Sequence, residues 1–340
     1  MDFSLTGHQE LIRETAQRML ERECPPSLLR AHMDDRAAAA PLFTHLRDFV
    51  ELGTGECTDL CLFLDEVGYV SAPGPFFATA ALAVPLVVAL GAAAPAGLLD
   101  RLTAGDATAT VAISGRDGTW QPAPSATKWF VPDADIADVI LVVEPDWRVR
   151  VLDAVDANID VVESADSTRR LCTVEVASNS AGGTSGQLDS DAAALWLDRV
   201  YVSAAAELVG TARRLFDMAL AYAKERVQFD RPIGSFQAIQ HKLADMSLAL
   251  ERSTAAVHYG AMTVDGEVDA GSRARAAHTA KAAAGTAAQR ILKDSSQIHG
   301  GIGYTWEHDL HLFLRRATVG ATQFGTTTWH HDRIADLLFA

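Results

Sequence analysis

An arginine, a phenylalanine and a glutamine are spaced along residues 223–246 in a way that could bind a phosphorylated ligand. The apolar spacing predicts one helix that ends near Arg226, a tight connection through Phe229, and a second helix with Ser235 as its N-cap. Gln237 then lies in the first turn of that second helix. Because helix-start N–H groups and a guanidinium both attract anions, Arg226 and Gln237 could hold a diphosphate while Phe229 covers a flat ring. An ordinary helical hairpin is the alternative.

A second stretch, QIHGGIGYTWEHDL, runs from Gln297 to Leu310. Its paired glycines, Gly300 and Gly301, could also form only a helix C-cap and turn. In order and separation, the two stretches resemble the signature motifs of the acyl-CoA dehydrogenase family, RxQFG followed by FQ, and then QxxGG. In that family these motifs bind FAD, largely the adenine-dinucleotide half of a flavin seated in the neighbouring subunit. The resemblance implies this role for Arg226, Phe229, Gln237, Gln297, Gly300 and Gly301.

The composition excludes several classes of protein. The chain has 340 residues, of which 49% are hydrophobic and 21% are charged, so it is globular and long enough for two or three domains. The formal net charge of −15 argues against nucleic acid as a partner. Four cysteines have no metal-binding spacing, and His308, His311 and the pair His330–His331 lack the paired Glu-x-x-His motifs of metal sites in helix bundles. We therefore expect reduced thiols and no metal.

The most apolar tract, from Phe76 to Leu99, raises the question of a membrane span. Pro85, Gly91 and Pro95 interrupt it and no basic flank fixes an orientation, so we expect buried helices instead. The first residues, MDFSLTGHQELIRE, contain neither the basic nor the apolar region of a signal peptide. These features predict a cytoplasmic protein without a membrane partner.

Three regions with different hydrophobic patterns predict an α+β multidomain fold. Residues 1–106 have helical spacing, as in the segment 8–22, and residues 107–197 contain short β-rich runs between Gly, Asp, Pro and Ser clusters. Residues 198–340 return to long, alanine-rich helical segments. We expect a helical N-terminal domain, a small antiparallel β-sandwich or barrel, and a C-terminal four-helix bundle that carries the FAD motifs, which is also the family's order of domains. The expected strands are 110–114, 139–143, 149–153 and 172–176, and the expected bundle helices are 204–226, 236–264, 272–296 and 307–318.

The residue that should remove a proton is absent from its usual place. The family reaction is the α,β-dehydrogenation of an acyl-CoA thioester, in which a carboxylate removes the α proton and a hydride goes to FAD. By resemblance the carboxylate belongs in a Tyr-Glu-Gly-Thr segment, but Phe324 stands at that position. Relatives that place the base on the preceding helix would have it near Val200, which is not an acid either. Glu207 lies on nearly the same helix face, roughly 10 Å further along at about 1.5 Å per residue, and is either a candidate catalytic base or a surface or interface glutamate.

The segments that would hold the flavin ring also depart from the family pattern. The strand Val111–Gly115 lacks the Glu-Pro pair and most of the glycines, and Lys128–Phe130 lacks the threonine of the later strand. Asp230 replaces the glycine that usually ends the RxQFG motif, where the turn geometry favours glycine. Thr326 and Thr328 match a family stretch near FAD, and their hydroxyls could donate hydrogen bonds to it.

The residues for the dinucleotide half of FAD are thus kept, whereas those for the ring and the proton are lost. This asymmetry resembles the short, atypical subunits of bacterial mixed acyl-CoA dehydrogenases that shorten steroid side chains. The resemblance implies a longer acyl-CoA dehydrogenase sibling as partner, a steroid side-chain acyl-CoA as substrate, and an electron-transfer flavoprotein or similar acceptor. Two alternatives stay open: a self-sufficient homo-oligomeric dehydrogenase that uses Glu207, and a helper that stabilises a sibling without touching its flavin.

Overall fold

The computed structural model describes residues 4–175 and 184–339. Helices and strands follow one another as helical, β and helical regions, in the predicted order. The helices are α1 (Gly7–Glu23), α2 (Pro26–Asp34), α3 (Ala40–Leu46), α4 (Cys57–Val70), α5 (Val84–Leu90), α6 (Leu98–Thr103), α7 (Ser190–Glu225), α8 (Gln237–Asp265), α9 (Ala270–His299), α10 (Leu310–Gly320) and α11 (Thr327–Phe339). The strands are β1 (Ala109–Ala112), β2 (Thr127–Pro132), β3 (Val139–Val143), β4 (Arg148–Asp153), β5 (Asn158–Val162), β6 (Leu171–Glu175), β7 (Thr184–Gln187), β8 (Val227–Gln228) and β9 (Arg231–Pro232).

The N-terminal region is helical and its most apolar tract is internal. A capping box between Thr6 and Gln9 starts α1, and the helix ends at Cys24 before two prolines, close to the predicted bounds. The tract after residue 76 forms a π-helix over Phe77–Ala83 and then α5, and every residue of the π-helix is buried. The prediction of buried helices is therefore confirmed for residues 76–87, whereas Val88 and most of residues 91–97 are exposed. Within residues 4–175 and 184–339, no helix combines the length and apolarity that a membrane crossing needs.

The middle region contains two small sheets. One has the strand order β1-β3-β4-β7 and the other has the order β2-β6-β5. The expectation of purely antiparallel pairing is wrong for β1 and β3, which are parallel with Ala109 opposite Val139. The reason is that the chain leaves the first sheet after β1, adds β2 to the second sheet, and returns in the original direction. The last predicted strand forms as β6, but Val176 lies outside the described residues.

The C-terminal region is built around α7, which is 36 residues long. This helix starts at Ser190, where the Asp189 carboxylate accepts hydrogen bonds from the Asp191 and Ala192 N–H groups. It therefore begins before residue 198, the start that we expect for the C-terminal domain, and the domain boundaries stay a prediction. Helices α8 and α9 pack against it, α10 starts at Leu310 rather than at residue 307, and α11 is a further helix that the sequence patterns did not predict.

Glycines let α4 cross α7 at close range. A Cβ on Gly210 would overlap the Asp65 carbonyl oxygen of α4, and a Cβ on Gly68 would overlap the Glu207 carbonyl oxygen of α7. Neither glycine has a left-handed backbone, so the requirement is steric. This crossing fixes the distance between the N-terminal helices and the bundle, and it positions Glu207 near the middle of α7.

We expect Gly210→Ala to lower the free energy of unfolding by about 1–3 kcal/mol, because the new methyl group must separate α4 from α7. Urea unfolding followed by circular dichroism measures this change. Gly7→Ala in α1 is the matched control, since nothing lies within 4 Å of its Cβ position. Equal stability of the two variants would show that the α4–α7 crossing is not tightly packed.

Candidate functional site

A two-residue β-hairpin turn follows the end of α7. Strands β8 and β9 pair Val227 with Pro232, and the turn between them consists of Phe229 at φ 55° and Asp230 at φ 63°. Two left-handed residues define the turn type that suits the twist of a tight hairpin. Asp230 thus adopts the conformation for which the family uses glycine, and the turn keeps its shape. The Phe229 side chain is 86% exposed at the tip.

The start of α8 differs from the prediction. Residues Ile233–Ser235 form a 3-10 turn, and the Ser235 hydroxyl donates a hydrogen bond to the Pro232 carbonyl at 2.8 Å. The N-cap is Phe236, and no side chain caps the helix. The prediction of Ser235 as N-cap is therefore wrong, because its hydroxyl is committed to the turn behind it. Gln237 is the first residue of α8, as expected for a first-turn residue.

The two FAD-like motifs meet at one end of the bundle. Tyr222 near the end of α7 stacks on His299 at the end of α9, with ring centroids 4.6 Å apart. The chain then turns through Gly300, whose φ is 60°, and continues into a 3-10 helix over Gly300–Tyr304. Gly301 has neither a positive φ nor any atom within 4 Å of its Cβ position. Its lack of a side chain therefore serves no packing within this chain.

The polar side chains at this end of the bundle are free. Arg226, Gln237 and Gln297 are exposed, and their side chains form no hydrogen bond or ion pair with the residues that the structure describes. One cation, two amides, the exposed ring of Phe229 and an unhindered glycine backbone thus lie at this end of the bundle. We call the following set the hairpin end: Arg226, Phe229, Gln237, Gln297, Gly300 and Gly301.

Phe324, at the position of the usual base, is packed among aromatic rings. It is 3% exposed, and its ring centroid lies 4.6 Å from Trp120 and 5.4 Å from Phe77. Its φ is 60°, an uncommon conformation for a bulky side chain. Val200, at the alternative base position, is fully buried hydrocarbon. Neither position offers a proton acceptor.

Buried nitrogen atoms hold the backbone around Phe324 in place. Lys281 Nζ donates to the carbonyls of Gly320 at 3.3 Å and Gly325 at 3.2 Å, and burial lowers the pKa of Lys281 to about 7. His330 Nε2 lies 2.9 Å from the Phe324 carbonyl and must donate to it, so its Nδ1 accepts from His278 Nδ1 at 2.8 Å. Burial lowers the pKa of His278 to about 4, so this pair is neutral at neutral pH.

A cavity of about 540 Å³ lies between this segment and the β region. Aromatic side chains line much of it, and Thr326 lies at its edge, whereas the exposed Thr328 does not line it. Its two carboxylates, Asp117 and Glu163, are exposed. Its aromatic lining residues are Trp120, Phe130, Phe324 and Trp329.

This cavity and the hairpin end are separate places in one chain. Thr327 packs against Gly285 of α9, and twelve helical residues from Gly285 to Gln297 span about 18 Å at about 1.5 Å per residue. The structure therefore brings Arg226, Gln237, Gln297 and the paired glycines together, but it does not bring Thr326 and Thr328 to them. The candidate residues thus lie in two separate places.

Glu207 lies in a buried ion-pair network. Its carboxylate accepts hydrogen bonds from both terminal nitrogens of Arg169, one of them at 2.8 Å, and from Arg316 Nη1 at 3.2 Å. Arg316 Nε also lies 2.8 Å from the Asp166 carboxylate. All four residues are at least 95% buried. We call Asp166, Arg169, Glu207 and Arg316 the ion cluster.

The ion cluster joins all three regions of the chain. Arg316 of α10 donates to the carbonyls of Ser71, at 3.2 Å, and Ala72, which follow α4. Arg169 comes from the β region and lies 4.7 Å over the Phe77 ring. Burial lowers the pKa of Arg169. The facing Glu207 carboxylate raises it more, so the pKa of Arg169 lies above its ordinary value. The surface or interface alternative for Glu207 is wrong, because two guanidiniums enclose its carboxylate inside the protein.

Sequence reasoning did not find the arginines of the ion cluster. A signal for Arg316 was available, since Leu312, Phe313, Arg316 and Ala317 share the helical spacing of one buried face. Arg169 gave no such signal. Its partner is 38 residues away in the sequence, and only the packing of the β region on α7 brings the two together.

We expect Glu207→Gln to lower the free energy of unfolding by about 3–5 kcal/mol, because it leaves two buried guanidiniums without their shared carboxylate. Chemical unfolding measures the change, and Glu251→Gln, an exposed acid on α8, is the matched control. A catalytic base would behave differently. Loss of turnover with unchanged stability would contradict the structural role of Glu207.

Known proteins resemble this chain both in its C-terminal region and over nearly its whole length. Residues 193–339 match the family model for the C-terminal domain of acyl-CoA dehydrogenases. The acyl-CoA dehydrogenase IpdE2 of Mycolicibacterium smegmatis is 30% identical over 334 residues, which cover 94% of this chain and 96% of that protein. The residues that match the family model include Gly300, Gly301, Glu207 and Arg316.

Solved structures match almost the whole chain. The crystal structure of the ChsE4–ChsE5 complex from Mycobacterium tuberculosis gives a TM-score of 0.86 at 22% identity and covers 99% of both chains. A steroid ACAD variant named Tcur3481–Tcur3483 gives a TM-score of 0.82 at 23% identity and covers 97% of both chains. These likenesses confirm the predicted fold, with a small β region between helical regions. The chain belongs to the acyl-CoA dehydrogenase family, which comprises oxidoreductases that act on CH–CH groups.

Proposed function

We propose that this chain is a subunit of an FAD-dependent acyl-CoA dehydrogenase and completes the flavin site of a longer sibling subunit. It contributes the residues for the adenine-dinucleotide half through the hairpin end, and the sibling contributes the catalytic base. The observation that carries the proposal is a contrast. Phe324 fills the base position with a buried ring, while Arg226 and Phe229 are exposed and ready for a ligand.

The chemistry of the hairpin end fits the dinucleotide half of FAD. The free Arg226 guanidinium suits a diphosphate, and the exposed Phe229 ring suits an adenine face. Gln237 and Gln297 supply amides that both donate and accept hydrogen bonds, and Gly301 lets a ligand or a second chain approach the backbone. When bound, FAD supplies the acceptor for the hydride that leaves the β carbon. The role of this chain is to bind and orient it.

The two positions where the family's base is expected supply no carboxylate for removal of the α proton. Phe324 and Val200 have hydrocarbon side chains. The guanidinium groups of Arg169 and Arg316 donate hydrogen bonds to both carboxylate oxygens of Glu207. The space enclosed by Glu207, Arg316 and Phe324 measures about 10 Å³, which is close to the minimum for a single water molecule. An acyl group therefore cannot reach Glu207 without displacing the ion cluster. This geometry favours a hetero-oligomer over a self-sufficient homo-oligomer.

The named relatives support the substrate class and the type of assembly. ChsE4–ChsE5 is a complex of two differently named chains, and Tcur3481–Tcur3483 is described as a steroid ACAD. We extend both properties to this chain: a longer acyl-CoA dehydrogenase sibling as partner and a steroid side-chain CoA ester as substrate. Electrons would leave through an electron-transfer flavoprotein or a similar acceptor. The four buried, unpaired cysteines support a reducing compartment such as the cytoplasm.

We expect Arg226→Ala to weaken FAD binding in the complex with the co-expressed sibling by about tenfold or more, because a hydrogen bond to a charged group contributes about 1.5–3 kcal/mol. Flavin release on dilution, followed by the rise in flavin fluorescence, measures the dissociation constant. Arg252→Ala is the matched control, since Arg252 is an exposed arginine further along α8.

Unchanged FAD affinity in an intact complex would contradict the shared site. It would leave the role of a helper that stabilises the sibling without contacting its flavin.

A further inference from the structure

The cavity beside Phe324 is lined by two buried residues whose polar groups have no partner. Ser114 is 1% exposed, and its hydroxyl forms no hydrogen bond with the described residues. Trp120 is 3% exposed, and its indole Nε1–H has no acceptor in the described part of the chain. A buried polar group without a partner costs free energy, and native proteins contain few of them. Both groups are shielded from bulk water, so their partner must be a molecule inside the cavity.

The aromatic walls of this cavity are held in place by contacts within the chain. The Trp120 and Phe324 rings meet edge to face at 4.6 Å, and the Trp120 carbonyl accepts a hydrogen bond from the Tyr201 hydroxyl at 3.3 Å. The Ser114 carbonyl accepts one from the Trp129 N–H at 2.9 Å. Because the walls are preformed, a ligand has little of the protein to order. Flat walls favour a rigid ring system over a flexible chain, which would lose more conformational entropy on binding.

The charges of the lining disfavour phosphorylated ligands. Its charged residues are Arg116, Asp117 and Glu163, two carboxylates and one guanidinium, which give a formal charge of −1. The Arg116 guanidinium carbon lies 5.3 Å from the centroid of the Trp129 ring, so this cation is already engaged by an aromatic face. The diphosphate of FAD or of coenzyme A would be repelled by the carboxylates. The cavity therefore suits an uncharged ligand, in contrast to the hairpin end with its free Arg226.

We infer that the cavity beside Phe324 is a second ligand site, for an uncharged fused-ring compound that carries a carbonyl oxygen. The carbonyl accepts hydrogen bonds from the unpaired Ser114 and Trp120 donors, and the rings lie against the aromatic walls. The volume of about 540 Å³ is within the range of small-molecule sites, roughly 300–1,000 Å³. A flavin ring fits less well, because its polar edge has more hydrogen-bonding atoms than these two groups can pair. The inference does not depend on a shared FAD site at the hairpin end.

The test compares fluorenone with fluorene, two uncharged tricyclic compounds that differ by one carbonyl oxygen. Equilibrium dialysis against the purified full-length chain gives a dissociation constant for each compound. We expect the unaltered chain to bind fluorenone about tenfold more tightly, because only the ketone pairs the buried donors. Methyl undecyl ketone, which has the same number of carbons in a flexible chain, should bind more weakly than fluorenone.

Two variants assign the carbonyl contact to its donors. Ser114→Ala and Trp120→Phe each remove one donor and keep the wall, so each should weaken fluorenone binding by about threefold to tenfold and change fluorene binding by less than about twofold. Ser203→Ala is the matched control, since it removes another buried, unpaired hydroxyl, on α7 and outside the lining. It should retain the full preference for fluorenone. Urea unfolding checks that all three variants are folded.

Four results would overturn the inference. Equal affinity for fluorenone and fluorene, or an equal loss of both in Ser114→Ala, would mean that the site does not recognise a carbonyl. Binding of the flexible ketone as tight as that of fluorenone would remove the selection for rings. Lumiflavin that binds more tightly than fluorenone would make the cavity a flavin-ring site. Binding of none of these compounds would mean that the cavity holds only water.

Discussion

Four buried charges hold the three regions of this protein together. Glu207 and Asp166 neutralise Arg169 and Arg316, and because a buried charge without its partner is very costly, each member fixes the position of the others. Arg316 also binds the carbonyls after α4, so the β region, the N-terminal helices and the bundle share one junction. The α4–α7 crossing and the segment that carries Phe324 both pack around it. The ion cluster therefore fixes the three regions relative to one another and encloses the Glu207 carboxylate.

The surroundings of Phe324 are buried, whereas the hairpin end is exposed. Around Phe324, aromatic rings, Lys281 and His330 fix the backbone where related enzymes keep an acid. At the hairpin end, about 18 Å away along α9 at about 1.5 Å per residue, the side chains of Arg226, Gln237 and Gln297 form no hydrogen bond or ion pair with the described residues, and Phe229 is 86% exposed. The free groups at this edge are the basis of the proposal that the chain completes a site on another chain.

The sequence predicted the parts of the site that depend on local patterns. The end of α7 and the turn through Phe229 follow from helical spacing and from short motifs. The Ser235 cap failed, because a 3-10 turn and a normal N-cap have the same local residues. The ion cluster could not be predicted, since Glu207 and Arg316 are 109 residues apart and only tertiary packing pairs them. Helix α11 was missed because its first turn is rich in threonine, a residue of low helix propensity.

The central claim is that the flavin site is completed only between unlike chains. The most direct measurement is the flavin content, by visible absorbance, of the purified chain alone and of its complex with the longer dehydrogenase sibling. The shared-site account predicts a colourless chain and a stoichiometric amount of FAD in the complex. A chain that alone retains a full complement of FAD would contradict the account, and it would mean that the cavity beside Phe324 and the hairpin end form complete sites between identical copies.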